Sequence, residues 1–69
     1  MKNSLKVERA KLNMTQAELA ARVSVSRQTI NSIEIGRYIP STLLALKIAT
    51  VFSVNVNDIF ALGSEDWNT

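Results

Sequence analysis

Sixty-nine residues make one small domain, and a core of that size is marginal unless something reinforces it, a second copy of the chain being one such reinforcement. Neither Cys nor His occurs, which excludes disulfides, zinc-finger sites and Cys/His nucleophile pairs. The formal charge of +2 is unevenly spread: through Lys47 eight basic residues face three acidic ones (Glu8, Glu18, Glu34), a balance of 8 − 3 = +5, whereas from Ile48 onward only Asp58, Glu65 and Asp66 are charged, −3.

A polyanion is therefore expected to meet the first two thirds of the chain. No stretch approaches the roughly eighteen apolar residues of a membrane span, and Met1-Lys2-Asn3-Ser4 runs into a mixed charged segment without an apolar leader. A cytoplasmic protein with no membrane partner, no metal and no cofactor is expected. An enzyme is disfavoured, because the chain lacks a metal constellation, a histidine base and the length to build a pocket.

In chain order the apolar spacing predicts five helices, roughly 4–12, 16–23, 27–34, 41–52 and 56–61, and an all-α fold. Three starts share one device, a capping residue with an apolar residue on either side to clasp over it. At the second helix Thr15 is the N-cap, Glu18 completes a capping box, and Met14 and Leu19 form the staple. Ser26 caps the third helix between Val25 and Ile30, and Asn55 caps the fifth between Val54 and Ile59, with Asp58 at the positive end of the helix dipole. Gly36 stops the third helix, and Pro40 with Ser41 opens the fourth. No segment alternates long enough for a strand.

Only Ser24 and Val25 separate the second predicted helix from the Ser26 cap, so the two helices must cross steeply, with Leu19, Ala20 and Val23 against Ile30 and Ile33. That is the spacing of a helix-turn-helix; from spacing alone an ordinary corner in a helical bundle serves equally well. With the isoleucines inward, Arg27, Gln28, Asn31 and Ser32 share the outward face of the third helix. This face is rich in hydrogen-bonding groups but carries a single charge, unlike a solubilising face with paired Lys and Glu. Arg, Gln and Asn offer two-pronged forks suited to guanine and adenine edges, and Ser reaches either. Gln16, at the first position of the second helix where amides point outward, is placed to touch a phosphate or to brace the third helix. Arg37, beyond Gly36, is placed for a phosphate. Arg9 and Glu34 lie at the edges of apolar stripes and are expected to form a partly buried ion pair between the first and third helices.

The runs Met14-Thr15-Gln16-Ala17-Glu18-Leu19-Ala20, Val25-Ser26-Arg27-Gln28-Thr29-Ile30-Asn31-Ser32-Ile33-Glu34, Gly36-Arg37-Tyr38, Pro40-Ser41 and Ala45-Leu46-Lys47-Ile48-Ala49 resemble the Cro/C1-type (XRE, lambda-repressor-like) helix-turn-helix family. The likeness covers about residues 3–62, leaving 63–69 as a polar tail of a single domain spanning 1–69. It implies a five-helix domain with its helix-turn-helix in helices 2 and 3, acting as a transcriptional regulator that binds double-stranded DNA, usually as a two-fold dimer. It also implies DNA contact by Gln16, Ser26, Arg27, Gln28, Asn31, Ser32 and Arg37, and an ion pair between Arg9 and Glu34. Three positions depart from the family pattern. Ser24 stands where Gly is favoured, at a cost of about 1 kcal/mol if φ is positive there. Ile35 and Ile39 stand where Asn is usual, replacing a polar contact with apolar surface.

Leu43 and Leu46 project away from the core stripe of the fourth helix (Leu44, Ala45, Ile48, Ala49, Phe52), and Ile59, Phe60, Leu62 and Trp67 add apolar surface near the end of the chain. Leu43, Leu46, Ile59, Phe60 and Trp67 are therefore the expected homodimer interface, holding two third helices about 34–36 Å apart on a palindromic operator. The competing expectation is a protein-interaction module, such as the antitoxin half of a toxin–antitoxin pair, gripping a protein partner through Ile35, Ile39 and Trp67.

Overall fold

A computed structural model describes residues 1–68. Its helices are α1 (Leu5–Lys11), α2 (Gln16–Arg22), α3 (Arg27–Glu34), α4 (Thr42–Val51) and α5 (Val56–Ile59), followed by a 3₁₀ turn over Ser64–Asn68. Helices dominate, as the spacing predicts, and the third has the predicted bounds.

One sequence of conformations ends a helix and starts the next at three places. Asn13, Ser24 and Ser53 each take a left-handed conformation, with φ of 52°, 60° and 55°. The amide one residue later then turns back five residues: Met14 to the Arg9 carbonyl, Val25 to Ala20 and Val54 to Ala49, at 2.9, 3.0 and 3.1 Å. This is the Schellman stop, which satisfies carbonyls that the helix leaves unpaired. The apolar residue that ends one helix is also the staple residue of the next, because the cap follows directly. Thr15 accepts from the Glu18 amide at 3.0 Å while Glu18 accepts from the Thr15 amide at 3.1 Å, and Ser26 accepts from the Thr29 amide at 3.1 Å. At α5 the Asp58 carboxylate accepts from the Asn55 amide at 3.0 Å. Helices thus follow one another with almost no loop, and short helices joined by tight turns must cross.

The core collects Leu5 from α1, Leu19 and Ala20 from α2, Ile30 and Ile33 from α3, Leu44, Ile48 and Ala49 from α4, and Ile59 from α5. Ala20 is buried where α2 passes α3, and its methyl group keeps the backbones close.

Two expectations are corrected at the end of the chain. The fifth helix stops at Ile59 rather than 61, and Phe60–Ala61 forms a short strand, β2, antiparallel to β1 (Lys2–Asn3), with Lys2 opposite Ala61 and Asn3 opposite Phe60. The Ser4 amide adds a 2.9 Å bond to the Ile59 carbonyl. Strand pairing turns Phe60 inward, so Ile59 and Phe60 both lie in the core, 3% and 7% exposed, and are removed from the surface available to a second copy. The tail is also not free: the Asp66 carboxylate accepts from the Gly63 amide at 2.6 Å and lies 3.2 Å from the Met1 amino group. The last residue of that predicted tail, Thr69, lies outside the described residues.

Ser24 is the residue of the helix-turn-helix whose side chain opposes its own backbone conformation. Ser24→Gly is expected to raise unfolding free energy by about 1 kcal/mol, read from the urea midpoint at unchanged slope.

Candidate nucleic-acid interface

The site begins with an internal fastening. Arg9 of α1 donates from Nε to Glu34 Oε2 at 2.6 Å and from Nη2 to Oε1 at 3.0 Å, a two-pronged pair. Its remaining prong, Nη1, donates to the Met14 carbonyl at 2.8 Å, fixing the turn that leads into α2. The Glu34 side chain is 5% exposed and that of Arg9 13%, so the pair is largely withdrawn from water. Burial pushes the Glu34 carboxyl up, but hydrogen bonds from Arg9 and Gln16 and the attraction of Arg9 and Lys6 together outweigh it. The carboxyl is held below its ordinary value of 4.5. The hydrogen bonds to Glu34 raise Arg9 above its own usual value against the opposing effect of burial.

Gln16, on the first turn of α2, joins this fastening to the outer face. Its Nε2 donates to Glu34 Oε1 and to Asn31 Oδ1, both at 3.1 Å. Of the two roles open to Gln16 in the sequence, bracing α3 is the one its hydrogen bonds display. From there α3 turns Ile30 and Ile33 inward and leaves Arg27, Gln28 and Asn31 exposed, with Ser32 half-buried beside them. No other described part of the chain covers this face, and Arg27 and Arg37 form no ion pair among the described residues.

Ser26 belongs to the face by position, while its hydroxyl is engaged with the Thr29 amide and the Thr29 hydroxyl, at 3.1 and 3.0 Å. Beyond α3, Gly36 takes φ +82° and the chain folds back, with the Arg37 and Tyr38 amides both donating to the Ser32 carbonyl at 2.9 and 3.2 Å. This fold-back sets Tyr38 beside Gln28 and Ser32 around a shallow depression of about 490 Å³. Tyr38 carried no argument of its own in the sequence. The glycine stop four residues after Ser32 was the available signal, since a reversal there returns the chain to α3. Asn3 is a second omission: its Nδ2 donates to the Ile33 carbonyl at 2.9 Å and fixes the C-terminal end of α3. Ile35 and Ile39 are exposed, as are Leu43, Leu46 and Trp67, the last 75%.

A polar, convex helix face held out by a second helix across a four-residue turn defines the class, a helix-turn-helix DNA-binding domain. A family model described as helix-turn-helix matches residues 5–59, and the chain belongs to that family, of Cro/C1 type. An HTH-type transcriptional regulator of Archaeoglobus fulgidus is 52% identical over 66 residues, 96% of this chain and 93% of its own length. One from Methanocaldococcus jannaschii is 57% identical over 60 residues, covering 87% and 91%, and YgzD of Bacillus subtilis is 47% identical over 66 residues, covering 96% and 100%. Each is described as an uncharacterized HTH-type transcriptional regulator. The solution structure of the SOS-response transcriptional repressor LexA from Eubacterium rectale superimposes with a TM-score of 0.74 at 35% identity, over 78% of this chain and 57% of that one. The chain therefore spans a little over half of the LexA chain. The protein is a DNA-binding regulator of a non-enzymatic family, and among the described residues no helix is long and apolar enough to cross a membrane.

Removing one partner of the fastening leaves the other charge buried and alone. Arg9→Ala is expected to cost about 3 kcal/mol in denaturant unfolding, at the low end for buried pairs because Arg9 keeps some contact with water. The sign with pH follows from the lowered Glu34 carboxyl: its contribution is complete above 4.5 and is lost as pH falls through the lower folded-state value. The gap in melting temperature between the native chain and Glu34→Gln is accordingly expected to be constant at neutral pH and to close on acidification below 4.5.

Proposed function

We propose that the protein is a cytoplasmic regulator that binds an imperfectly palindromic operator as a homodimer, laying α3 of each copy in the major groove. The observation that carries this reading is the uncovered outer face of α3. Arg27 and Gln28 read base edges, Asn31 and Ser32 support them, and Gln16, Ser26 and Arg37 lie toward the sugar-phosphate backbone.

The homodimer is argued from surface chemistry. Leu43 and Leu46 stand exposed on α4. Leu46 lines a groove of about 250 Å³ with Ile39, Ala45, Val56 and Phe60, and Leu43 and Leu46 together border a second groove against Arg22 of α2 and Val23 just beyond it. Exposed leucines on adjoining apolar grooves are poorly served by water, and a two-fold axis near them buries both sets at once. Trp67 stands on the surface as a further apolar side chain for that contact.

Selection of bound duplexes from a random pool tests the whole reading, with two inverted half-sites about one duplex turn apart as the expected product. Recovery of no enriched sequence overturns it. Gln28→Ala is expected to weaken specific binding by about 1–3 kcal/mol and relax preference at one base pair. Arg37→Ala is expected to weaken operator and random duplex alike and to lower the slope of log affinity against log salt by about one. For the dimer, Leu43→Asp with Leu46→Asp should shift sedimentation from dimer to monomer without altering helical circular dichroism, because neither side chain belongs to the core.

A further inference from the structure

Glu34 lies behind the outer face of α3, yet the hydrogen-bonding capacities of the groups in front of it make it a controlling residue. An ionised carboxylate only accepts hydrogen bonds, whereas a primary amide has one donating end and one accepting end. Gln16 therefore faces Glu34 with Nε2, at 3.1 Å from Oε1. The second hydrogen of that same nitrogen goes to Asn31 Oδ1, also at 3.1 Å. Asn31 must meet it with its oxygen, which leaves Asn31 Nδ2 pointing away from Gln16 on an exposed residue. Polarity passes from a charge that cannot reverse, through one amide that cannot turn, to a second amide at the surface.

We propose that Glu34 is a specificity-determining residue that acts through Gln16, fixing the Asn31 amide so that Asn31 reads its base pair as a donor through Nδ2. The inference rests on the reading of α3 as the base-reading helix. The expected target is an edge rich in acceptors, such as guanine N7 and O6, adenine N7 or thymine O4. Arg9 serves the relay from behind, because its Nε and Nη2 occupy Glu34 and hold the carboxylate in register with Gln16.

The test is competition binding of the full chain on its selected operator and on single base-pair variants of it, with circular dichroism confirming each variant folded. Asn31→Ala identifies the base pair that Asn31 reads. Gln16→Leu cuts the relay and leaves the Arg9–Glu34 pair whole, so it remains informative if Glu34→Gln does not fold. In either variant discrimination at that one base pair should fall by about fivefold or more, the low end for a lost base-edge contact. Once Asn31 is Ala, neither substitution should change discrimination there any further. Asn31→Asp keeps the bond from Gln16 but presents an accepting oxygen, and preference should move toward donor edges, cytosine N4 or adenine N6. Unchanged preference in Gln16→Leu, or a native preference for a donor edge at that pair, overturns the relay while leaving the DNA reading intact. A native chain that selects no duplex, or an Asn31→Ala that alters no base pair, overturns the reading of the face and the relay with it.

Discussion

The ion pair between Arg9 and Glu34 is the constraint on which the outer face depends. Three donors of one guanidinium reach α3 through Glu34 and the entrance to α2 through the Met14 carbonyl, so α1 sets the relation of the other two helices. A short chain has few alternatives. A base-reading helix must keep one whole side uncovered, and side chains that face water contribute little to holding the helix in place. The fastening therefore sits on the flank, where Glu34 is withdrawn from water but one turn from Asn31. The cost of dehydrating two charges is offset in part by further hydrogen bonds beyond the pair, from Gln16 to the carboxylate and from the guanidinium to the Met14 carbonyl.

Backbone conformation supplies the rest of the geometry. Each left-handed residue at 13, 24 and 53 reverses the chain within one step, and the following apolar side chain serves the helix behind and the helix ahead. Glycine suits such a position best, yet two of the three carry Ser and one Asn. The strain is accepted because the alternative, a longer loop, would leave more backbone to order and loosen the crossing of α2 and α3. At Gly36 a Cβ would meet nothing within 4 Å, so φ alone favours glycine there, and the chain continues through exposed residues 37–39 to the buried Pro40 before α4 begins.

What was legible in the sequence follows the distance over which each contact acts. The Thr15 and Glu18 capping box closes over three residues, and the staple and the Ser24 turn each over five, and all stand in the local pattern. The bounds of α3 follow from Ser26 and Gly36 in the same way. The pairing of Lys2–Asn3 with Phe60–Ala61 is different: it joins the two ends of the chain through two residues each, too short to leave an alternating pattern. The apolar spacing therefore places Phe60 on the helical surface, whereas strand geometry turns it into the core. Gln16 stands at a helix start, as the Thr15 cap predicts, but its two possible uses differ by a side-chain rotation that no residue pattern encodes. Its choice depends on Glu34 being deprotonated and close, a fact of packing across α2 and α3.

Formal charge also hides a division of labour between the two signs. Each of the six Asp and Glu side chains has a donor partner among the described residues: Glu8 with Lys11, Glu18 with the Thr15 amide, Glu34 with Arg9, Asp58 with the Asn55 amide, and Glu65 and Asp66 with the Met1 amino group. Lys2, Lys6, Arg22, Arg27, Arg37 and Lys47 belong to no ion pair among the described residues. Negative charge is thus held in caps and fastenings, where it serves folding, and positive charge is left on side chains free to reach a phosphate. A polyanion can meet these cations without breaking an internal ion pair. On the proposed reading base selection comes from the outer face of α3, because charges that reach phosphates draw every duplex alike and only donors and acceptors held at base edges distinguish one edge from another.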